Sequence, residues 1–407
     1  MIKSYKIRLF PTPEQEIIIR DSVNAARFVW NWGLAYQMER FKNGEKHLSA
    51  YDMKKVLTQI KKQDEFAWLN SVSAQTLNMA LLDLGNTYDK FFALQKKGEK
   101  FSKTKIKRAA RFTKKLTFYD MQGHPKFKKK AKAKQSFYTR YDRFYFTQEY
   151  AVLETIGKVK YQTNFELPTV NKKGENTVKF TNPRISYIND KWVLSFGMEC
   201  EKQAQELNDF AVGIDLGVKK LAVISYDNGK KKSFKNINKS KRVKKLKKRL
   251  KHYQREVSRK YHQHGNYEKT NRILETEKKI KTIHRKLANI RLNHVHHVTT
   301  ELINMLPKMV VMENLNVSGM MKNKHLSKTI QEQLFHEFMR QIEYKCIFKS
   351  IEFKQADRFY PSSKKCCKCG SIKQDLKLKD KLYKCNNCGI ELDRDENASE
   401  NLEKLAV

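Results

Sequence analysis

Acidic side chains are in short supply. The chain of 407 residues carries 43 Asp and Glu against 84 Lys and Arg, a formal net charge of +41. Such a chain repels itself unless it meets a polyanion, which makes nucleic acid the first partner to consider. Glycine and proline are also few, at 15 and 7, which excludes a collagen-like or linker-dominated chain. No uninterrupted apolar run approaches the ~18 residues that a membrane span needs. The opening stretch MIKSYKIRLFPTPEQ lacks the apolar centre of a secretory signal, so a cytoplasmic location is expected. No G-x-x-x-x-G-K-[ST] loop is present, which leaves ATP-driven chemistry without support. Cysteine is limited to 7 residues, most of them between Cys366 and Cys388. A disulfide-stapled secreted protein would spread them out, so the pattern favours a reduced compartment and a metal.

The length suits roughly two to three domains of ~150 residues each. A hydrophobic content of 40% with 11% aromatics suffices for cores. In SYKIRLF, Tyr5, Ile7 and Leu9 share one face and Lys6 and Arg8 the other, the pattern of a half-buried strand. Thr12-Pro13-Glu14-Gln15 has the form of a helix start, in which Thr12 caps, Pro13 takes the first helical position and Gln15 closes a capping box. Helical spacing runs through Ala25, Phe28, Val29 and Trp32, and again through Leu77, Leu81, Leu84, Tyr88 and Phe91. Residues 13 to about 115 are therefore predicted to form a mainly helical block inserted after the first strand. Residues 136–200 turn to strand patterning, with Ile185 and Tyr187, then Asn189-Asp190, then Trp192, Leu194 and Phe196 making a hairpin. With the first strand they suggest a small β-barrel that holds the helical block.

Two stretches concentrate the positive charge. Between Lys96 and Lys134 there are 16 basic and 2 acidic residues, interleaved with Phe101, Phe112, Phe118, Tyr119 and Phe127. A charge run is ordinarily a solvated face, but aromatics that stack bases between cations that hold phosphates favour nucleic acid here. Lys128, Lys129 and Lys130 are its candidate contacts. Between Lys230 and Lys260 there are again 16 basic residues and a single acid, Glu256. Within it Val243, Leu246, Leu250, Tyr253 and Val257 are spaced three, four, three, four, and Ile280, Ile283, Leu287, Ile290 and His294 repeat the rhythm after Gly265-Asn266. This predicts an antiparallel helical hairpin with a narrow apolar seam and basic outer faces, on which Lys244 and Lys248 are candidate contacts. Just before it, Asp227-Asn228-Gly229 is a hairpin turn signal.

Two groups of residues carry chemistry. Cys366 and Cys369 form one C-x2-C, and Cys385 and Cys388 another, with fifteen residues between. Four thiolates at this spacing suit a tetrahedral, structural Zn²⁺ with no open position. Cys367 is left as a spare, and Gly370 and Gly389 serve the tight turns. The second group is three acids. Asp215 interrupts the apolar run AVGIDLGVKKLAVI, Glu313 ends MVVMENLNV, and Asp395 lies in LDRDENASENL at a helix start. A lone carboxylate in an apolar strand needs a partner, although each acid taken singly could be an ordinary structural or exposed one. Three carboxylates brought together would repel one another and hold divalent cations. Two Mg²⁺ ions could activate a water and stabilise the leaving oxygen of a phosphodiester. His294, His296 and His297 fall on the seam helix and are read as packing or surface residues.

The sequence resembles the TnpB (OrfB) proteins of bacterial insertion sequences, relatives of the type V CRISPR effectors. The resemblance rests on GIDLGVKKLAV, MENLNVSGMMKNKHLSKTI, ADRFYPSSKKCCKCG and YKCNNCGIELDRDENASENL in that order. YKIRLFPTPEQ…ARFVWNWGL and PKFKKKAKAKQSF agree with it. It implies an α/β multidomain protein: a wedge-like β-barrel (1–12 and 116–208), a helical recognition lobe (13–115), a RuvC-like nuclease of ribonuclease H fold (209–362 and 391–407) and an inserted zinc ribbon (363–390). It implies RNA-guided cutting of double-stranded DNA beside a short transposon-adjacent motif, with a guide RNA from the transposon end as partner. The nuclease acids carried over by motif are Asp215, Glu313 and Asp395, with Asp395 preferred to Asp393 because it fills the D-x-N-A slot. Gln75 and Asn78 are candidate readers of the adjacent motif, since amides pair with adenine edges. The family often has Asp-Phe where this chain has Asn293-His294, and Trp near Leu334 or Phe335, departures that leave the acids untouched. A non-cleaving repressor or transposition accessory, and a strand-transferring transposase, are the alternatives.

Overall fold

The computed structural model describes residues 2–98, 100–111, 113, 115–130, 132–168, 178–201, 205–227, 229–263, 269–376 and 380–406. The chain divides into two units, Met1–Cys200 and Glu201–Val407. Each follows from its own hydrophobic pattern.

In the first unit, strand β1 (Ile2–Phe10) buries Ile7 and Leu9, as its alternation requires. Helix α1 (Pro13–Lys42) starts at the anticipated capping box, with Thr12 Oγ1 accepting from the Gln15 amide at 3.3 Å and Gln15 Oε1 accepting from the Thr12 amide at 3.1 Å. Helices α2 (Ala50–Ile60), α3 (Ala74–Lys96) and α4 (Lys103–Arg111) follow. The helical block is thus a single insertion between β1 and the remaining strands. Those are β2 (Ser136–Tyr138), β3 (Tyr145–Phe146), β4 (Tyr150–Leu153), β5 (Gly157–Gln162), β6 (Phe180–Ile188) and β7 (Lys191–Glu199). They pair antiparallel with β1 in one sheet of order β2-β6-β7-β1-β5-β4-β3. Asn189 and Asp190 turn the β6–β7 hairpin with φ of 53° and 61°, the doubly left-handed geometry of a tight hairpin turn. Sheet and helices share one core, in which Ile19, Val29, Leu77 and Leu81 meet Leu9, Phe137, Leu194 and Phe196.

The second unit begins with a meander, β8 (Asn208–Leu216), β9 (Lys220–Tyr226) and β10 (Lys230–Lys235). The helices α5 (Lys241–Gln263) and α6 (Asn271–Asn304) come next. Their facing residues Val243, Leu246, Leu250 and Tyr253 against Ile283, Leu287 and Ile290 form the anticipated seam. Gly265-Asn266 and Asn228 lie outside the described residues. Strand β11 (Pro307–Met312), helices α7 (Val317–Met320), α8 (Ser327–Gln333) and α9 (Phe335–Lys349), and strand β12 (Glu352–Gln355) complete a mixed sheet of order β10-β9-β8-β11-β12. Here β8, β11 and β12 run parallel and the other pairs antiparallel. The short hairpin β13 (Leu382–Lys384) and β14 (Glu391–Asp393) leads directly into helix α10 (Arg394–Glu403).

The two faces of this sheet are sorted by the period of two along each strand. Val212, Ile214 and Leu216 of β8, with Val310 and Met312 of β11, pack against Val295 and Leu302 of α6 and Phe335, Phe338 and Ile342 of α9. The alternate residues, Ala211, Gly213 and Asp215 on β8 and Val311 on β11, face α10, whose Leu402 packs with Val311. A Cβ at Gly213 would stand 2.1 Å from the Ser399 carbonyl oxygen and 2.2 Å from the Glu403 amide nitrogen. Only glycine lets the helix backbone come down onto the strand there.

Gly213→Ala is therefore expected to force α10 off the sheet and to destabilise this unit by ~3 kcal/mol, the upper range for overpacking. Denaturant unfolding followed by fluorescence checks it, and a change below ~0.5 kcal/mol would show that the helix can move at little cost.

Candidate functional site

Strand register brings the acids together. Ile214 and Met312 are partners in the parallel pairing of β8 with β11. Asp215 follows Ile214 within β8 and Glu313 follows Met312 just past the end of β11, so the two acids stand at the carboxyl ends of adjacent strands. That is the edge of an open α/β sheet where ligands are bound. By alternation both are on the face that α10 covers. Asp395 is on α10 one turn before Ser399, the residue whose carbonyl meets Gly213, so it lies on the strand-facing side of the helix. Its Oδ2 is 3.6 Å from the Cβ position of Gly217, just past the end of β8. The three acids named from the sequence thus converge, two from the sheet and one from the covering helix.

The local structure also separates Asp395 from Asp393. The Asp393 carboxylate caps α10, accepting from the Asp395 amide at 2.9 Å, and pairs with Lys220 at 3.4 Å. It is occupied with starting the helix.

Asp215 is buried, and its carboxyl is held well above the ordinary Asp range by burial, reinforced by Glu313 and Asp395. Glu313 is raised as well, chiefly by burial, with Arg394 opposing the rise. Arg394 contacts Asp395 at 3.5 Å and opposes the rise at Asp215 too. Burial of this kind penalises the charged form of the acids. Carboxylate oxygens from three directions are the hard donors that divalent ions of the magnesium type prefer.

The second centre is built by two matching knuckles. In one, the Gly370 amide donates to Cys366 O at 2.9 Å and the Cys366 amide to Ser371 O at 2.8 Å. In the other, the Gly389 amide donates to Cys385 O at 3.1 Å and the Cys385 amide to Ile390 O at 2.9 Å. Gly370 and Gly389 take φ of +76° and +71°, which glycine adopts without strain. The ligand atoms of Cys366, Cys369, Cys385 and Cys388 all lie within 4.8 Å of one another, with Cys366–Cys388 at 3.6 Å and Cys369–Cys385 at 3.5 Å. A tetrahedral metal with ~2.3 Å bonds to sulfur places its sulfurs ~3.8 Å apart, so the four thiols fit such an ion. Cys367 is outside the four, its amide donating to Asn397 Oδ1 at 3.0 Å.

The sequence reading missed what joins the two centres. Asn397 and Asn401, buried one turn apart on α10, donate to the Lys365 carbonyl at 2.7 and 2.6 Å, and Asn401 also to the Ser362 carbonyl at 2.8 Å. They tie the first knuckle to the helix that bears Asp395. The signal was present as two asparagines four apart in a helix, a residue that helix interiors disfavour.

The candidate nucleic-acid residues divide. Lys129, Lys130, Lys244 and Lys248 are exposed, and Gln75 and Asn78 are half-buried on α3. Lys128 is half-buried, with its ammonium 3.5 Å from the centroid of the Trp30 ring and its backbone clamped by Asn31 at 2.7 and 3.1 Å. Burial lowers its pKa to about 8, so it serves packing before phosphate. Of the interleaved aromatics, Phe118 stacks on Phe41 at 4.4 Å and Tyr119 meets His124 at 5.5 Å, both used within the fold. Phe127 is exposed, Phe101 is half-buried, and Phe112 lies outside the described residues.

Three family models match the chain. One described as "Probable transposase" (OrfB_IS605) matches residues 195–324, a Cas12f1-like TNB domain matches residues 335–402, and a helix-turn-helix domain of the OrfB_IS605 type matches residues 1–46. The structure places β1 and α1 on that last stretch. A Streptomyces pristinaespiralis protein named "Putative RNA-guided DNA endonuclease" is 27% identical over 98% of this chain and 88% of its own length. An Escherichia coli K12 protein, "Putative RNA-guided DNA endonuclease InsQ", is 27% identical over 98% of this chain and 91% of its own length. Among solved structures, the Cas12f1–sgRNA–target DNA complex is similar in fold, with a TM-score of 0.51 at 13% identity, covering 99% of this chain and 98% of that one. Among the described residues no helix is long and apolar enough to cross a membrane.

Asp215→Asn removes the buried charge at nearly constant shape. Because the folded state raises this carboxyl, the cost is absent below the ordinary Asp value near ~4 and grows as pH rises above it. The variant is expected to melt above the parent in metal-free buffer at neutral pH, with the gap closing as pH is lowered. Calorimetry with a chelator present checks it, and an equal or lower melting temperature at neutral pH would show that the site tolerates the charge.

Proposed function

We propose that the chain, which the OrfB_IS605 models match over residues 1–46 and 195–324, is an RNA-guided DNA endonuclease of a transposable element of the TnpB (OrfB) kind, cutting double-stranded DNA beside a short adjacent motif at a metal site formed by Asp215, Glu313 and Asp395. A single observation carries the reading: the parallel register that sets Asp215 beside Glu313 on the face covered by α10. In this reading the mixed sheet with α10 is a RuvC-like nuclease of ribonuclease H fold, and the knuckles around Cys366 and Cys385 are a zinc ribbon. The sheet and helices of the first unit are the wedge and recognition lobe.

Two Mg²⁺ ions bound by the three acids would supply Lewis acidity and a water activated for attack on a phosphodiester. The chain's own contribution is preorganisation. Asp215 is fixed by a strand with neighbours on both sides, Glu313 by the next strand, and Asp395 by a helix that is capped by Asp393 and pressed onto Gly213. Holding the acids before the metal arrives removes the reorganisation that flexible ligands would need. No side chain of this cluster is a covalent nucleophile of the Ser or Cys type, which suits direct hydrolysis.

The charge supports the choice of substrate. With guide pairing as the reader of sequence, the protein needs to track only the backbone and shape of a hybrid duplex. A surplus of +41 spread along the chain suits that task. A non-cleaving repressor of the same descent would gain nothing from three converging acids, so the cleaving reading is preferred.

Asp215→Ala is expected to retain guide RNA and matched DNA while cleavage falls at least about a thousandfold. Gel-shift and plasmid-nicking assays with Mg²⁺ check the two halves, and persistent Mg²⁺-dependent cutting would overturn the assignment. For the second centre, one zinc per chain is expected by elemental analysis. Cys385→Ser should lose it together with much of the ~10 kcal/mol that such a site contributes to folding, read as a fall in melting temperature; unchanged metal content would count against the ribbon.

A further inference from the structure

Among the described residues the most exposed large apolar side chain is Phe359, at 85%. It is not on a loose tip. The Phe359 amide donates to Asp357 Oδ1 at 2.8 Å and the Tyr360 amide to Asp357 O at 3.0 Å. On one side of it Ala356 is buried and its amide donates to Met312 O at 2.8 Å. On the other side Tyr360 packs with Val311 and Leu402, and its hydroxyl donates to Asn401 O at 3.4 Å. A well-anchored segment thus holds a bare aromatic ring in water.

The anchor points locate the ring. Met312 is the residue before Glu313, and Asn401 is on the helix that bears Asp395. Phe359 is three residues beyond Ala356, so its backbone lies within ~11 Å of the point where the segment meets β11. The segment that carries it therefore leaves the sheet beside Met312, the residue before Glu313. Its neighbour Arg358 is also exposed, with the guanidinium 6.0 Å from the Phe359 ring centroid. An exposed aromatic paired with a cation is the unit by which proteins hold unpaired nucleic acid, the ring taking a base and the cation a phosphate. Double-stranded DNA offers no free base face, so the ligand chemistry is a single strand.

We propose that Phe359, with Arg358 beside it, is the stacking platform for an unpaired base of the DNA strand entering the carboxylate site. This rests on the endonuclease reading and adds a positioning residue to it. Phe359 fixes the strand, and the acids remain the reacting centre.

The test uses the full chain with its co-purifying RNA in the Asp215→Asn background. The probe is a DNA single strand of about 12 nucleotides containing 5-bromodeoxyuridine, cross-linked by near-ultraviolet light and mapped by mass spectrometry. The expected cross-link falls on the peptide containing Phe359, is lost in Phe359→Ala and is kept in Phe359→Trp. In the parent background Phe359→Ala should slow cleavage of matched plasmid about tenfold at unchanged melting temperature, with Phe359→Trp restoring it. Cross-links that survive Phe359→Ala, that map to the RNA instead, or equal cleavage by the Ala and Trp variants would overturn the platform. Cutting of the probe by Asp215→Asn alone would instead overturn the carboxylate assignment, so the two failures are told apart.

Discussion

The second unit of this chain depends on one close contact, the backbone of α10 lying on the backbone of β8 at Gly213. Helices and sheets normally keep their main chains apart by the thickness of two side chains. Here one of those layers is absent at a single position, and the approach this allows puts a carboxylate from the helix among carboxylates from the sheet. The remaining machinery maintains that approach. Asp393 caps the helix, Leu402 packs on Val311, and Asn397 and Asn401 tie the helix to the cysteine knuckles. The acids themselves work against it, since burial and mutual repulsion favour the neutral form of Asp215. The packing energy of the layer is what holds them together.

Much of this was legible in the sequence where one residue type had one physical use. The capping box at Thr12, the Asn189-Asp190 turn and the seam from Val243 to Ile290 are local signals, and the structure has all of them. The four cysteines assemble because their spacing leaves little alternative. Asp215 and Glu313 stood out as acids in or at the end of apolar strands and Asp395 as an acid at a helix start, but their convergence is a matter of strand register and helix docking, which no window of sequence contains. The same limit hid Asn397 and Asn401, whose partners are more than thirty positions away.

The aromatics of the first basic run show the opposite error. Phe118 and Tyr119 looked available because they sit among lysines, yet they close a cluster with Phe41, Phe91 and His124. Lys128 likewise spends its charge on the face of Trp30. Interleaved cations and rings can satisfy one another inside the protein, so composition alone overstates how many face a ligand. Phe359 carries no comparable signal in the sequence; only its exposure in the structure sets it apart.

The passage from β14 into α10 has no connecting residue, Asp393 being both the last of the strand and the cap of the helix. Insertion or deletion of one residue at this junction would turn the whole helix by about 100° about its axis. The Asp395 carboxylate would then swing away from Asp215, and the contacts of Leu402, Asn397 and Asn401 that dock the helix would be lost with it. The cysteine hairpin therefore sets the rotational phase of the helix that bears Asp395, and any graft or shortening of that hairpin must conserve the junction residue for residue.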